Sequence, residues 1–360
     1  MRIWAFHLFN DFSGSPLMLK NALEALKGKA EIHLWTSKSE GFLSGIDLDQ
    51  VHYNSYRWKK RKLGLLIKLL IAQFEAFLLV VNNRKRIDTI YVNTLLPAGA
   101  ALAAKLLGIP VIYHLHEPQL NNRFLFKLLK GLAIRTADKA IFVSTYLQGC
   151  FPKLVDKGKV IPNVLSEDFL QAIDPGDSSM MEHILMLCSF KPYKGIVEFA
   201  ELAKKDAHRS YTLILNASEN EISAFREKYQ AQKNLQIISS PSDLHPYYRK
   251  GGILLNLSHP DKWVESFGMT ALEGMAYGLP CIVPEVGGIA ELVQDDCGFR
   301  TSVYNPEKII RQIDFLFSDE RIYAEYSHSA LQRSQDYNYP QFKERICATF
   351  GLAEAKLSLS

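Results

Sequence analysis

The sequence predicts an α/β protein made of two halves, each built around a parallel sheet. Strand-like and helix-like segments alternate along nearly the whole chain, which is the pattern of parallel sheets covered by helices. The length of 360 residues exceeds what a single hydrophobic core usually spans, so two cores are expected. An apolar content of 48% and a charged content of 22% are values of a globular chain.

The first half alternates five predicted strands with five predicted helices. The strands cover residues 2–8, 31–36, 88–93, 110–115 and 139–143, and the helices cover 16–27, 63–81, 96–107, 122–135 and 145–150. Ser15 and Pro16 are typical of a helix cap and a first helical position. The loop before them follows a strand's carboxyl end, where such sheets bind ligands. Because no Gly-x-Gly-x-x-Gly follows that strand, a dinucleotide cofactor is not expected.

The second half repeats the alternation after residues 174–179, Asp-Pro-Gly-Asp-Ser-Ser, which have the composition of a linker. Its predicted strands cover 183–188, 211–215, 235–238, 253–257 and 280–283, and its helices cover 194–205, 220–230, 244–249, 268–277, 306–317 and 341–350. We therefore expect domains at 1–170 and 171–335, followed by a C-terminal helix and tail at 336–360.

The charges and cysteines indicate a cytoplasmic protein with a basic first half. Residues 1–170 carry 23 Lys and Arg against 13 Asp and Glu, whereas the remainder carries 19 against 25. Five dispersed cysteines without a Cys-x-x-Cys pair favour a reducing compartment and argue against structural zinc. The apolar run at the N-terminus is too short for a signal peptide and has no small-residue cleavage site.

Three interpretations of residues 57–86 compete. A basic cluster, Arg57 to Lys62, runs directly into a long apolar segment and then Arg84 to Arg86. A membrane-spanning helix needs about 20 apolar residues, and the polar Lys68, Gln73 and Glu75 interrupt this one. The segment fits a patch that binds the surface of an anionic membrane at its inner face, or else a domain helix after a solvated basic loop. Nucleic-acid binding is not expected, since no aromatic stacking platform accompanies the cluster.

The stretch from Glu265 to Glu273 is the most informative motif of the chain. A short apolar strand precedes it, and Tyr277-Gly278-Leu279-Pro280 ends a helix predicted from about Gly268. The free N–H groups and positive dipole end of that helix predict an anion site, and Gly268 allows a phosphate to approach the backbone. Glu273 lies roughly 7 Å along the helix axis, so one carboxylate could reach a sugar and the other a ribose.

Taken alone, the two glutamates also fit a plainer interpretation. Glu265 could stabilise the helix dipole and Glu273 could occupy a solvated helix position. However, the run from Glu265 through Gly287-Gly288 to Gly298-Phe299 resembles the donor-binding half of the family 4 retaining glycosyltransferases, whose signature is a Glu, seven residues and a second Glu. Weaker similarity extends over nearly the whole chain. The resemblance implies a GT-B fold, in which two Rossmann-like domains face each other across a cleft and a C-terminal helix crosses back to the first domain.

The resemblance implies roles for particular residues. Lys191 and Lys194 match the family's Arg-x-x-Lys that contacts the donor diphosphate, with Lys191 replacing the bidentate Arg. His116, or secondly His114, matches a His that faces the donor sugar; a His at a strand end is otherwise usually just hydrogen-bonded, and no third ligand suggests a metal. Gly14 matches a loop glycine that approaches the diphosphate. In the main motif, the residues implied in donor binding are Glu265, Ser266, Phe267, Gly268, Met269, Thr270 and Glu273.

The expected activity is transfer of a sugar from a nucleoside diphosphate such as UDP, with retention, onto a lipid-linked or growing glycan acceptor in polysaccharide synthesis. The resemblance implies a hexosyltransferase whose catalytic residues are His116, Glu265 and Lys194, with no metal and no cofactor. Lys191 and the turn Asn216 to Glu219, which replaces the family's Gly-rich turn, favour an alternative: a nucleotide-binding GT-B partner subunit without catalysis. A nucleotide-sugar epimerase is a third interpretation, but no pair of convergent acids in the first half supports it.

Overall fold

The computed structural model describes residues 1–56, 62–120, 122–173, 182–241 and 243–352, with the backbone alone for 62–65. Within these ranges the chain forms two compact units. Unit 1 comprises Met1–Asn163 and the C-terminal segment from Pro340, and unit 2 comprises Val164–Tyr339. The predicted linker at 174–179 and the basic residues 57–61 lie outside the described residues. The domain limits at 170 and 335 remain predictions.

Unit 1 contains a parallel sheet with helices packed along it. Its seven described strands have the order β3-β2-β1-β4-β5-β6-β7, and all neighbours are parallel. The strands are β1 Arg2–Phe6, β2 Glu31–Ser37, β3 Gln50–Asn54, β4 Thr89–Asn93, β5 Val111–Leu115, β6 Lys139–Phe142 and β7 Gly158–Val160. The helices are α1 Gly14–Leu26, α2 Lys62–Asn82, α3 Ala98–Leu107, α4 Arg123–Thr136 and α5 Thr145–Gly149, with 3-10 turns at Arg84–Arg86 and Pro152–Lys157.

Unit 2 repeats this architecture. Six described strands form a parallel sheet of order β10-β9-β8-β11-β12-β13. The strands are β8 His183–Ser189, β9 Ser210–Asn216, β10 Leu235–Ser239, β11 Ile253–Leu255, β12 Cys281–Val283 and β13 Gly298–Arg300. The helices are α6 Glu167–Gln171, α7 Ile196–Lys205, α8 Glu219–Tyr229, α9 His245–Lys250, α10 Met269–Ala276, α11 Gly288–Leu292, α12 Pro306–Leu316 and α13 Glu320–Gln335, with a 3-10 turn at Pro192–Lys194.

The last helix, α14 Tyr339–Phe350, returns to unit 1 as predicted. The Lys139 ammonium donates to the Thr349 carbonyl at 2.5 Å, and the Phe350 ring packs edge-on against Tyr91 with centroids 5.2 Å apart. Two aromatic side chains of α14 are buried, Tyr339 at 9% and Phe342 at 2% exposure. The C-terminal segment therefore completes the core of unit 1.

Every predicted strand and helix is present, with ends that differ by at most two residues. The elements that the sequence does not reveal are short, at a sheet edge or polar: β7 and β13 have three residues each, and β3 is an edge strand. The sixteen-residue α13 buries Tyr323, Ser327, Ala330 and Ser334. Because two of these are serines, the helix has no apolar stripe to detect.

Helix α2 inverts the usual pattern of a surface helix. Its buried side is made of small residues such as Ala72 and Ala76, and Gln73 accepts a hydrogen bond at 2.8 Å from the backbone N–H of Gly99 in α3. Its outer side exposes large apolar side chains, at Leu66, Ile67, Leu70, Ile71, Phe74 and Leu78. No helix among the described residues is both long and apolar enough to cross a bilayer.

Candidate functional site

The order of each sheet reverses once, and several predicted site residues follow the strands that flank a reversal. In unit 2 the reversal lies between β8 and β11, and in unit 1 it lies between β1 and β4. Ligands of open parallel sheets bind at the carboxyl ends of the strands that flank such a reversal. Lys191 and Lys194 follow β8, and the loop that contains Glu265 follows β11. The topology thus joins two sequence motifs that are 71 residues apart.

The centre of the unit 2 site is an ion pair between the Lys194 ammonium and the Glu265 carboxylate. Both side chains are only 15% exposed. The same carboxylate oxygen of Glu265 accepts a hydrogen bond from the Ser258 hydroxyl at 2.7 Å. Burial raises the pKa of Glu265, but the charge and hydrogen bonds of Lys194, Ser258 and Asn256 outweigh it, so the net pKa lies below its ordinary value. Glu265 is therefore ionised at neutral pH.

The predicted helix start at Gly268 is confirmed: α10 begins at Met269, with Gly268 as its N-cap. The φ angle of Gly268 is 105°, and a Cβ atom there would lie 2.6 Å from the Ile289 side chain. Gly268 has no side chain with which to cap this end, and the first amides of α10 have no carbonyl partner within the helix. The geometry suits an anion that approaches the backbone directly.

Glu273 has the opposite electrostatic environment to Glu265. It lies on α10, and the Tyr248 hydroxyl of α9 donates a hydrogen bond to its carboxylate. Burial raises the pKa of Glu273 to about 7, although the Tyr248 hydrogen bond lowers it in part. The Tyr248 ring stacks on Tyr277 with centroids 5.6 Å apart, which fixes the direction from which the hydroxyl reaches Glu273.

The other predicted donor-binding residues of unit 2 occupy three kinds of position. The Lys191 side chain is exposed beside the turn, whereas Ser266, Met269 and Thr270 are half-buried at the start of α10. Phe267 is 4% exposed and packs edge-on against Tyr337. Its side chain therefore holds the loop in place rather than lining its surface.

The predicted residues of unit 1 lie at the carboxyl ends of β1 and β5. Gly14 is the exposed first residue of α1. His116 follows β5 and is 8% exposed, and its Nε2 lies 2.8 Å from the side-chain oxygen of Asn93. Burial and the neighbouring His114 and His7 hold the pKa of His116 well below its ordinary value. His116 is therefore a neutral imidazole at physiological pH.

Four further residues touch the predicted ones, and sequence reasoning did not select them. Ser258 contacts Glu265, Tyr248 contacts Glu273, and Asn93 contacts His116, while the Trp263 ring lies 5.9 Å from the Lys194 ammonium. In the sequence, these four residues share only their position at or after the end of a predicted strand or helix. That position is too common to single them out. Among the described residues, no group of three or more His, Cys, Asp and Glu side chains could hold a metal ion.

Two protein-family models match the chain. The model "Glycosyltransferase Family 4" matches residues 14–168, and the model "Glycosyl transferases group 1" matches residues 175–333. An uncharacterized glycosyltransferase of Methanocaldococcus jannaschii is 27% identical over 345 residues, which is 91% of either chain. N-acetyl-alpha-D-glucosaminyl L-malate synthase of Bacillus anthracis is 25% identical over 302 residues, or 75% of either chain.

Solved structures share the fold. The crystal structure of Anabaena HepE in complex with UDP and glucose superimposes with a TM-score of 0.75, at 19% identity, over 97% of this chain and 99% of that one. The two parallel sheets and the returning C-terminal helix are thus those of the GT-B fold. Both halves of the sequence match glycosyltransferase models, and the chain belongs to the GT4-type glycosyltransferases of GT-B fold.

Proposed function

We propose that this glycosyltransferase transfers a hexosyl group from a nucleoside-diphosphate sugar, with net retention, onto a lipid-linked or growing glycan acceptor. The observation that carries the proposal is the pair of Lys194 and Glu265 close to the start of α10, where the N-cap is a glycine. A cation suited to the diphosphate and a carboxylate suited to sugar hydroxyls thereby lie next to each other. The bond to be broken joins those two parts of the donor.

The proposed chemistry is electrostatic. Lys191, Lys194 and the amides of Gly268, Met269 and Thr270 bind the diphosphate, and such preorganised donors are worth about 3–4 kcal/mol each where measured. Glu265 binds hydroxyls of the sugar, and Glu273 binds those of the ribose. As the bond between the anomeric carbon and the phosphate oxygen breaks, its electrons pass to that oxygen. The same oxygen accepts the proton of the acceptor hydroxyl, whose oxygen bonds to the anomeric carbon on the face that the phosphate leaves.

In this scheme, as the family resemblance implies, His116 contacts a hydroxyl of the donor sugar, and Gly14 lets the backbone approach the diphosphate. Since the charge that develops on the leaving group is met by lysines and a helix end, we propose that no metal is required. The neutral state of His116 supports its proposed contact with the donor sugar, because a neutral imidazole can accept a hydrogen bond from a sugar hydroxyl.

The surface of unit 1 supports a membrane-bound acceptor. Helix α3 packs against both α2 and α4, and large apolar side chains are exposed on all three helices, including Phe74, Leu106 and Phe124. Together with the turn Arg84–Arg86, these helices carry ten Lys and Arg residues and one acidic residue, Glu75. An apolar surface with this charge fits an anionic bilayer, whereas two copies of it would repel each other. We therefore propose peripheral binding at the cytoplasmic face, through residues 57–86 and the adjoining α3 and α4.

Binding and product analysis test the activity. Thermal-shift and calorimetric screens with UDP-, GDP- and ADP-sugars should identify one preferred donor, and proton NMR of the product should show the anomeric configuration of that donor. Glu265→Gln should abolish transfer, whereas Glu227→Gln, on the exposed side of α8, should not. An inverted anomeric product would exclude the retaining mechanism.

A second candidate function is that of a nucleotide-binding partner subunit without catalysis. The observation that favours it is the exposed Lys191 at the position of the family's Arg. That function predicts binding of a nucleotide sugar without transfer to any lipid-linked or glycan acceptor. Transfer by the purified chain would exclude it.

A further inference from the structure

A chain of buried polar side chains connects three strand ends in unit 1. Asn93, the last residue of β4, has no exposed surface. Its side-chain nitrogen lies 3.0 Å from the Ser15 carbonyl oxygen in α1 and 3.0 Å from Nδ1 of His7, which follows β1. Its side-chain oxygen lies 2.8 Å from Nε2 of His116, which follows β5. One amide thus contacts three elements around the sheet reversal.

These contacts determine where the hydrogen atoms lie. A backbone carbonyl can only accept, so the Asn93 atom that faces Ser15 must be the NH2 group. The other Asn93 atom is then the oxygen, which can only accept, so Nε2 of His116 must carry a hydrogen. In the neutral ring, Nδ1 of His116 is therefore the nitrogen with the lone pair. By the same reasoning, Nδ1 of His7 accepts from Asn93 and has no hydrogen.

The backbone next to Asn93 is strained. Thr94 has a φ angle of 72°, in the left-handed region that a β-branched residue rarely adopts. Its N–H donates to the His114 carbonyl at 2.8 Å, which ties the end of β4 to β5. Such strain persists where the surrounding structure imposes it, most often at functional sites.

We propose that Asn93 is a positioning residue that holds His116 as its Nε2–H tautomer, so that Nδ1 accepts a hydrogen bond from a substrate hydroxyl. The proposal rests on the proposed function for the identity of the substrate. The tautomer itself follows from the three contacts of Asn93. A hydroxyl group can donate to this nitrogen, whereas a group that can only accept is refused.

The surroundings of His116 favour the neutral ring. His114 of β5 lies with its ring centroid 4.3 Å from that of His116, and Tyr91 of β4 contacts Nδ1 of His114 at 2.7 Å. Burial lowers the pKa of His7 to about 4, although the charge of Asp11 opposes this, and burial raises the pKa of Glu117, the next residue after His116, to about 7. Burial is the largest cause of each shift. Because the pKa values of His7 and His116 both lie well below the ordinary value of histidine, both rings are neutral around pH 7.

Nitrogen NMR of the intact protein labelled at histidine tests the tautomer without any assay of activity. His116→Gln assigns the His116 signals. At pH 7 the wild-type spectrum should show one protonated ring nitrogen in His116, namely Nε2. A spectrum with the hydrogen on Nδ1, or a doubly protonated ring, would overturn the proposal. Tyr91→Phe is the matched control, because it removes a hydrogen bond of the same cluster without touching His116, and it should leave the tautomer unchanged.

Two substitutions test the positioning role in catalysis. Asn93→Ala should lower kcat by about 10- to 100-fold, as removal of partners that orient functional histidines does, while KM for the donor changes little. Asn93→Asp places a carboxylate at Nε2, so it should favour the imidazolium and shift the acid limb of the kcat/KM profile to higher pH. A folded Asn93→Ala protein with the wild-type kcat, or a folded Asn93→Asp protein whose acid limb does not move, would refute the proposal. If the wild-type protein transfers no sugar, the proposed function fails, whereas the NMR result still decides the tautomer.

Discussion

At the scale of single residues, the two glutamates of one motif differ because of their neighbours. Glu265 contacts a lysine, and its pKa falls below the ordinary value. Glu273 is buried with a tyrosine hydroxyl as its partner, and its pKa rises to about 7. Two identical side chains eight positions apart therefore have different charges near neutral pH, which suits different roles towards one ligand.

Removing the cation should expose the dependence of Glu265 on it. Lys194→Met leaves a partly buried carboxylate without its partner and should lower the free energy of unfolding by about 2–3 kcal/mol at pH 7, slightly below the cost of breaking a fully buried pair. Because the folded pKa of Glu265 lies below the unfolded one, this stabilisation is present above the unfolded pKa and is lost as the pH falls through the folded pKa. Urea denaturation of the wild type and of Lys194→Met at pH 7 measures the loss of stability, and the same comparison at low pH measures how that loss disappears.

Lys191→Met is the matched control for that experiment, since the Lys191 side chain is exposed. It should leave the stability within about 0.5 kcal/mol of the wild type. Both substitutions should weaken binding of the nucleotide sugar. A Lys194→Met protein as stable as the wild type at pH 7 would contradict the importance of the ion pair.

Glu273 should make donor binding depend on pH. Its folded pKa of about 7 lies above the ordinary 4.5, so its contribution to stability is present below pH 4.5 and is lost as the pH rises through 7. The carboxylate that would bind the ribose forms over the same range, so affinity for a nucleotide sugar should rise through about pH 7. Glu273→Gln should bind more weakly at high pH and lose this dependence. Calorimetry with a nucleotide sugar, whose phosphates do not titrate in this range, measures the affinity at each pH. Equal pH profiles for the wild type and Glu273→Gln would refute the role of Glu273 in donor binding.

At the scale of elements, α10 is a short helix with a left-handed glycine at each end. Gly268 has a φ angle of 105° and Gly278 one of 73°. The first amides of α10 have no carbonyl partner within the helix, whereas its last carbonyls accept from the backbone N–H groups of 277–279, so only the first end suits an anion. The two glycines therefore provide a matched comparison of helix stability and ligand binding.

Gly268→Ala should lower the free energy of unfolding by about 1–3 kcal/mol, because alanine resists this φ angle and its Cβ would crowd Ile289. It should also weaken nucleotide-sugar binding, measured by calorimetry on the folded protein. Gly278→Ala strains the other end of the same helix, where a Cβ would meet the Ser327 side chain. It should destabilise the protein but leave affinity unchanged. Equal loss of affinity in both variants would assign the effect to helix stability alone.

The outer side of α2 should govern membrane binding. Leu70→Ser with Phe74→Ser replaces two side chains that are 60% and 63% exposed, so it should reduce sedimentation with anionic liposomes without lowering the melting temperature. Replacement of Lys59, Lys60, Arg61 and Lys62 by Ser should act in the same direction and remove the salt dependence. Val155→Ser, at an exposed apolar position elsewhere in unit 1, should have no effect. Unchanged binding in the first two variants would remove the argument for a membrane-bound acceptor.

At the scale of the whole molecule, the chain leaves unit 1 and returns to it at its end. Ile346 of α14 has no exposed surface, and Cys347 beside it contacts the Ala25 carbonyl of α1 at 3.3 Å. The stability of unit 1 therefore depends on residues at the far end of the sequence. Unit 2 has its own core, formed from residues between Ile184 and Tyr323.

Ile346→Ala should lower the free energy of unfolding of unit 1 by about 2–4 kcal/mol through the cavity it leaves. Hydrogen exchange read by mass spectrometry should show lost protection in β4 to β6, with unit 2 unchanged. Ile222→Ala, at a fully buried position in unit 2, is the reciprocal control. Equal loss of protection in both units after Ile346→Ala would show that they unfold together.

The sequence by itself determined the alternating elements, the helix start at Gly268 and the spacing of the two glutamates, because these depend on neighbours along the chain. Only the tertiary structure decided that Lys194 pairs with Glu265, that Tyr248 holds Glu273 and that Asn93 joins His7 to His116. Parallel strands bring their carboxyl ends to one edge of a sheet, so residues 23 to 86 positions apart meet there. The pKa values of the site follow from those contacts and from burial, neither of which a linear pattern contains.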